Sequence, residues 1–307
     1  MPSSPFRVVR VREPSNDFRR ATHVVTVPDW PVPADDAVLV RNHYVGVSAL
    51  DVVAVCALHV SEQRSCGLEA EYTEVPASCL IKLENISLDA LPVLISGVSA
   101  SLALRHAGRM TTKEKVLVTG GATSTGQFAI QLAKAAGNHV VAVCSSSEGE
   151  QALQGLRCDR IVNSSADPVG YMLAKEYPSG FDLIVDVEGG PLLQTCVDHI
   201  AEGGRLVIFR SDWMLHPHDG GSENELHEMD DVLAKRGASA RAFSLFQCDS
   251  NEIQTEIMEV CELVKAGVLS VIVDATPFEG LEALAGAVDR VLAKKNIGKV
   301  VVRLAKT

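Results

Sequence analysis

VLVTGGATSTGQFAIQLAK, residues 116–134, runs from a β-branched apolar stretch through a loop of small residues into a helix. This is the layout of a dinucleotide-binding turn, in which backbone N–H groups and the positive end of a helix dipole meet a pyrophosphate. Gly126 stands at the third glycine of that pattern, where the lack of a side chain lets the helix lie close on its sheet. Thr123 and Ser124 occupy the middle of the loop, where glycine is usual. With Thr125 they offer hydroxyl donors to a phosphate, and their side chains also crowd the place where backbone would meet it. Ala129, Leu132, Ala133 and Ala136 then recur at helical spacing as one narrow face, with Gly137 as a C-cap. An inert strand–turn–helix is the alternative reading of the same residues.

Outward from this turn the pattern repeats. EKVLVT, NHVVAVC, DRIVN, FDLIVDV and GRLVIF are β-branched runs suited to strands buried on both faces. GQFAIQLAKAAG, EGEQALQGL, PVGYMLAKEY and PLLQTCVDHI lie between them with helical periodicity. Such alternation predicts an α/β fold with a doubly wound parallel sheet, a Rossmann domain placed at residues 88–244. Residues 1–87 read instead as β-rich, with FRVVRV, HVVTV and AVLVRNHYVGV punctuated by Pro14, Pro28, Pro31 and Pro33. Beyond residue 240 come strands in ARAFSLF, LSVIVDA and KVVVRL, and helices near 251–266 and 280–295. The polar, glycine-rich stretch 210–225 reads as a mobile loop.

The formal net charge of −11 argues against nucleic acid and anionic membrane as partners. Arginines interrupt the apolar residues of the first 12 positions, so no secretory segment is expected, and no stretch reads as a membrane span. Eight scattered cysteines without a C-x-x-C pair suit a reduced, cytoplasmic chain and give no tetra-cysteine zinc lobe. The stretch His216-Pro217-His218-Asp219 has no further ligand on a rigid element to go with its two histidines, so no metal is expected. VTGGATSTG with Tyr171 and Lys175 also mimics the turn and Y-x-x-x-K pair of short-chain dehydrogenases. That pair follows the turn too closely here and reads as a helix face.

The strand after the turn ends in Ser145, Ser146 and Ser147, where an NAD-binding chain places an acid. Three hydroxyls favour a 2′-phosphate and hence NADP. Glu148 opposes it, and a helix N-cap at Ser147 explains the serines equally well.

Read together, VLVRNHYVGVSALDV, AEYTEVPAS, LPVLISGVSASLAL, the stretch 116–146, CDRIVN, GGRLVIF and KKNIGKVVVRL span most of the chain. Their joint order resembles the zinc-free medium-chain dehydrogenase/reductases, the quinone oxidoreductase (zeta-crystallin) group with its prostaglandin reductase-like members. The resemblance implies a GroES-like β-barrel domain at 1–87, to which 245–307 return, beside the Rossmann domain. It implies an oxidoreductase that passes hydride from NADPH to an enone of the 15-keto-prostaglandin type or to a quinone. Ser99 matches a hydroxyl near nicotinamide and phosphates, Thr125 and Gly126 the phosphate turn, and Ser145 and Ser146 the adenosine-phosphate loop. Asn296 matches a cofactor-side asparagine, and Val187 and Glu188 the strand tip beside the nicotinamide ribose.

The departures are specific. The glycine pair of the turn is Thr123-Ser124, the basic residue after the two serines is replaced by the Glu148-Gly149 neighbourhood, and an expected tyrosine is Ser164. Phe209 stands at a strand-end glycine. The N-terminal domain is short of several barrel strands, which leaves edges that a homodimer or a rearranged barrel would cover, or else a domain that folds poorly beside an intact Rossmann half. No catalytic proton donor is identified: Tyr44, Asp51 and His59 lie in the right region without a supporting pattern. The alternative to a reductase is a degenerate, non-catalytic nucleotide-binding or interaction member.

Overall fold

The computed structural model describes residues 5–12, 17–30, 32–47, 70–77, 80, 88–209, 229 and 231–304. The stretch 210–225, the His216–Asp219 group, Asp51 and His59 lie outside them. The chain divides into two compact units: residues 1–91, 274–295 and 299–307 form one, and 92–273 with 296–298 the other.

In the first unit, β-branched runs make short antiparallel pairs. Phe6–Val11 (β1) pairs with Thr22–Val27 (β2), Phe6 opposite Val27. Phe18–Ala21 (α1) lies between them, capped by the Asp17 carboxylate accepting the Arg19 N–H at 2.9 Å. The run AVLVRNHYVGV breaks into Ala37–Arg41 (β3) and Tyr44–Val47 (β4). The break falls at Asn42, whose amide donates to the Ala70 carbonyl at 2.8 Å and to Thr73 Oγ1 at 2.7 Å. Tyr72–Pro76 (β5) pairs with β3, and Phe6, Trp30 and Tyr72 pack ring on ring as a small apolar centre.

Ala90–Ala107 (α2) is one helical run containing two π-helical turns, Val93–Gly97 and Ala103–Ala107. By length and composition alone it passes for a membrane span, as the core helix of a globular protein also can. Here it is a core helix. A Cβ on Gly97 would stand 3.0 Å from Val260 and 3.3 Å from Phe128, so the small residue lets α2 press onto its neighbours.

The second unit alternates strand and helix throughout. In order come Lys115–Thr119 (β6), Ser124–Ala135 (α3), His139–Cys144 (β7), Ser147–Gln154 (α4), Arg160–Asn163 (β8) and Val169–Glu176 (α5). Phe181–Asp186 (β9), Pro191–Asp198 (α6), Ile200–Phe209 (β10), Ser239–Phe243 (β11) and Ser250–Lys265 (α7) follow. The six strands are all parallel, in the order β11-β10-β9-β6-β7-β8. Successive side chains take opposite faces: Val116 and Val118 join Phe128, Leu183 and Val260 in one buried cluster, while Leu117, Val141 and Ile184 join Leu173 and Val197 in the other. Each fully buried Leu, Val or Ile contributes about 1.5–3 kcal/mol, so the two-faced sheet is the main source of cohesion. This is the doubly wound Rossmann fold. Tyr171 is 65% exposed on α5, the surface helix face expected of it.

Phe278–Glu279 (β12), Leu284–Leu292 (α8) and Val300–Arg303 (β13) complete the first unit. β13 joins β12 in parallel and β4 in antiparallel. The expected strand in LSVIVDA does not form. Its polar groups go elsewhere: the Ser270 N–H donates to Gln131 Oε1 at 2.7 Å and the Asp274 N–H to the Lys299 carbonyl at 2.8 Å. Tyr44, on β4, carries the Arg303 guanidinium 5.7 Å from its ring centroid. Among the described residues the first unit shows three small sheets and no closed barrel.

Candidate functional site

Strand order reverses between β6 and β9, because the chain leaves β6 toward β7 and β8 and then returns to β9 on its other side. In an open parallel sheet, the crevice beyond the carboxyl ends at such a reversal is where ligands bind. Two loops leave the sheet there, residues 120–123 after β6 and 187–190 after β9.

The first loop is tightly built. Gly120 takes φ +59°, and a Cβ on it would stand 3.2 Å from the Glu188 nitrogen. A Cβ on Gly126 would drive into the Gly120 carbonyl, so the helix can start this close to the strand only with glycine. The Gly121 N–H donates to the Val143 carbonyl at 2.8 Å, tying the loop to the end of β7. Gln127, buried, donates its amide to the Ala122 carbonyl at 2.8 Å.

Thr123 is the N-cap of α3. Its Oγ1 accepts the Gly126 N–H at 3.1 Å and donates to the Gly120 carbonyl at 2.8 Å. Its hydroxyl is thus engaged with the turn itself, and one first-turn N–H that an anion could use is already taken. Ser124 follows at the first helical position, with its Oγ buried and without a hydrogen-bond partner among the described residues. Thr125 is half-buried in the same turn.

The second loop is pinned by Thr119 at the end of β6. Its hydroxyl bonds Asp186 Oδ1 and accepts the N–H groups of Val187 at 3.2 Å and Glu188 at 3.4 Å. Asp186 is fully buried and also accepts the Gly189 N–H at 3.1 Å, while its Oδ2 has no partner among the described residues. Val187 and Glu188 are therefore held half-buried beside Gly120.

At the end of β7 the cap of α4 is Ser146, one residue before the expected Ser147. Its Oγ accepts the Gly149 N–H at 3.0 Å. Ser145 and Glu148 are exposed. A Cβ on Gly149 would stand 3.0 Å from Ala122 Cβ, so this helix start abuts the loop.

A segment from the far end of the chain completes the group. The Gly298 N–H donates to the Ala122 carbonyl at 2.9 Å, and Thr123 bridges Gly298 as an isolated β-pair. Asn296 spends its side-chain amide on the Gly298 carbonyl at 2.9 Å. Gly298 takes φ +76°.

The structure thus brings Thr123, Ser124, Thr125, Gly126, Ser146, Val187, Glu188 and Asn296 into one neighbourhood, with Ser145 on its rim. Ser99 sits apart from this bonding, buried on α2 between Val98 and Ala100, and no hydrogen bond among the described residues joins it to the loop. Sequence reading passed over Thr119, Gln127, Asp186 and Gly298. Thr119 and Asp186 carried a usable signal, as the polar residues that follow the apolar stretches Val116–Val118 and Leu183–Val185. The described residues hold no group of three His, Cys, Asp or Glu able to bind a metal ion.

A family model described as zinc-binding dehydrogenase matches residues 124–260. The chain is similar to prostaglandin reductase-3 of Mus musculus, 34% identical over 313 residues that cover 89% of this chain and 83% of that protein. It is similar to a probable quinone oxidoreductase of Leishmania amazonensis, 28% identical, covering 98% of this chain and 99% of that one. Among solved structures, CurA of Vibrio vulnificus in complex with NADPH superposes with a TM-score of 0.78 at 18% identity, covering 99% of this chain and 100% of that one. The zinc in the family model's description finds no ligand set among the described residues, and no metal-dependent step is derived for this chain.

Proposed function

This chain belongs to the zinc-free medium-chain dehydrogenase/reductase family, and we propose that it is an NADPH-dependent reductase of activated carbon–carbon double bonds or quinones. Enones of the 15-keto-prostaglandin type are the favoured substrates, since the mouse relative bears the name prostaglandin reductase-3. The Leishmania relative's name keeps quinones beside them.

One observation carries this reading. The loop after β6, the tips of β7 and β9, and the segment 296–298 are tied together at the carboxyl ends of a parallel sheet where its strand order reverses. A dinucleotide fits this cradle. Gly120 and Gly126 let the loop lie tight against the tip of β9 and the start of α3, and α3 begins at the carboxyl ends of the strands, where its N-terminal N–H groups favour an anion. The Ser124 hydroxyl, without a partner among the described residues, gains an acceptor if it turns toward a phosphate oxygen. Val187 and Glu188, fixed by Thr119, border the nicotinamide ribose, and Asn296 holds the turn that closes the loop from behind.

Bound NADPH supplies the hydride. The chain's share is to bind it, to orient one face of its ring, and to keep water from the transfer. No described side chain is assigned as the proton donor.

The test is oxidation of NADPH, followed by its near-ultraviolet absorbance, with a panel of enones and quinones. Turnover of an enone supports the reading, and turnover of quinones alone moves the substrate class. Saturable NADPH binding without any turnover establishes a non-catalytic member. The engagement of the Gly126 N–H by Thr123 is the feature that favours that second reading.

A further inference from the structure

The proposed reductase meets the adenosine end of its cofactor at the carboxyl ends of β7 and β8, and the residues there are unusual for NADPH. The 2′-phosphate carries a charge between about −1.5 and −2 near neutral pH and is ordinarily met by a basic side chain. Here the end of β7 offers Ser145, exposed, and Ser146, whose hydroxyl is spent on the Gly149 N–H at 3.0 Å. Glu148 is exposed in the first turn of α4. Glu150, in the same first turn, accepts the Asn163 side-chain amide at 3.3 Å from the end of β8. The Ser164 N–H donates to the Cys144 carbonyl at 2.8 Å, so these two strand tips form one surface.

No cation of this segment reaches that surface. Between residues 135 and 174 the only lysines or arginines are Arg157 and Arg160, and the one histidine, His139, opens β7 at its far end. Arg157 follows the C-terminus of α4, and Arg160 opens β8 and is paired with Glu176 at 2.9 Å, both at the opposite end of the strands. Of the side chains that these two strand tips and the first turn of α4 present, a 2′-phosphate would face the carboxylates of Glu148 and Glu150 and the exposed serines Ser145 and Ser147, an arrangement that repels as much as it attracts. A 2′-hydroxyl would face the same carboxylates as acceptors for its proton.

We infer that this chain holds its cofactor by the pyrophosphate and not by the 2′-phosphate, so that it takes NADH as readily as NADPH, with Glu148 as the residue that withholds selectivity. The inference rests on the reductase reading above, and the experiment separates the two.

Dissociation constants of NADPH and NADH are measured by nicotinamide fluorescence at fixed ionic strength for the wild type, Glu148→Gln and Glu148→Arg. Far-ultraviolet dichroism confirms that each variant is folded. The wild-type constants are expected to agree within about threefold. Glu148→Gln should tighten NADPH about threefold and Glu148→Arg about tenfold or more, with NADH unchanged or weaker. A wild-type preference for NADPH above about thirtyfold overturns the inference and leaves the reductase reading intact. Equal shifts for both dinucleotides in the variants also overturn it, because position 148 would then not sense the 2′-group. Failure to bind either dinucleotide overturns the reductase reading, and the inference with it.

Discussion

Thr123 Oγ1 stands 3.1 Å from the Gly126 nitrogen and accepts its N–H, so the side chain that crowds the turn also starts the helix. The same hydroxyl donates to the Gly120 carbonyl at 2.8 Å, linking both ends of the loop. Stability and anion binding thus compete for one N–H group.

Replacing Thr123 and Ser124 together by glycine separates the two effects. Loss of the cap and the added backbone freedom should cost about 1 kcal/mol and lower the melting temperature by a few degrees. NADPH affinity should rise, because the Gly126 N–H becomes available and the side chains no longer crowd the phosphate. Thermal unfolding and a binding titration on the same protein check both. Unchanged or weaker affinity contradicts the steric account.

Gly126→Ala tests the close approach of α3 to β6. The new methyl meets the Gly120 carbonyl and the Gly121 Cα, both backbone atoms. Overpacking of this kind costs about 1–3 kcal/mol. Urea denaturation should show the midpoint falling with an unchanged slope, and cofactor affinity should fall with it. A variant as stable as the wild type would mean the loop is looser than described.

Thr119→Val removes a hydroxyl and keeps the shape. It leaves the N–H groups of Val187 and Glu188 and the buried Asp186 carboxylate without their shared partner. A cost of about 2–4 kcal/mol is expected, near or above the upper end for one buried polar group because several lose their bonds together. Hydrogen exchange should quicken at residues 187–189 while the β8 strand stays protected.

The second unit was legible in the sequence because its signals are local. Runs such as DLIVD and the helical spacing of Ala129, Leu132, Ala133 and Ala136 each identify an element within a dozen residues. Gly126 was legible for the same reason. The role of Asn296 as keeper of the Gly298 turn was not, because it depends on a hydrogen bond to Ala122, more than 170 residues earlier. Thr123 read as an obstruction because spacing shows a side chain's bulk and hides which way its hydroxyl turns. LSVIVDA read as a strand from its β-branched residues, but the Gln131 side chain claims the Ser270 N–H that a ladder would need. Propensity yields there to tertiary partners.

Asp159 gives the fold an acid-sensitive link. Burial pushes its carboxyl pKa up, but hydrogen bonds from Lys134 Nζ at 2.7 Å and the Val140 N–H at 2.7 Å outweigh burial and hold it below the ordinary value. A depressed folded pKa stabilises above the unfolded value, near pH 4, and that contribution is lost as pH falls through the folded one. Asp159→Asn should therefore lower stability at neutral pH and flatten the decline below about pH 4. Urea titrations of both proteins from pH 7 to pH 3 check this. Parallel curves would exclude Asp159 as a source of the acid sensitivity.

The central claim is that the turn after β6, though filled with hydroxyl side chains, still clasps a reduced nicotinamide dinucleotide. Titrating NADPH into the purified protein, with nicotinamide fluorescence and thermal shift read together, tests it directly. The account predicts saturation with a dissociation constant on the order of 1–100 μM and a rise in melting temperature that follows occupancy. An unchanged melting temperature and no saturation up to about 1 mM would contradict it.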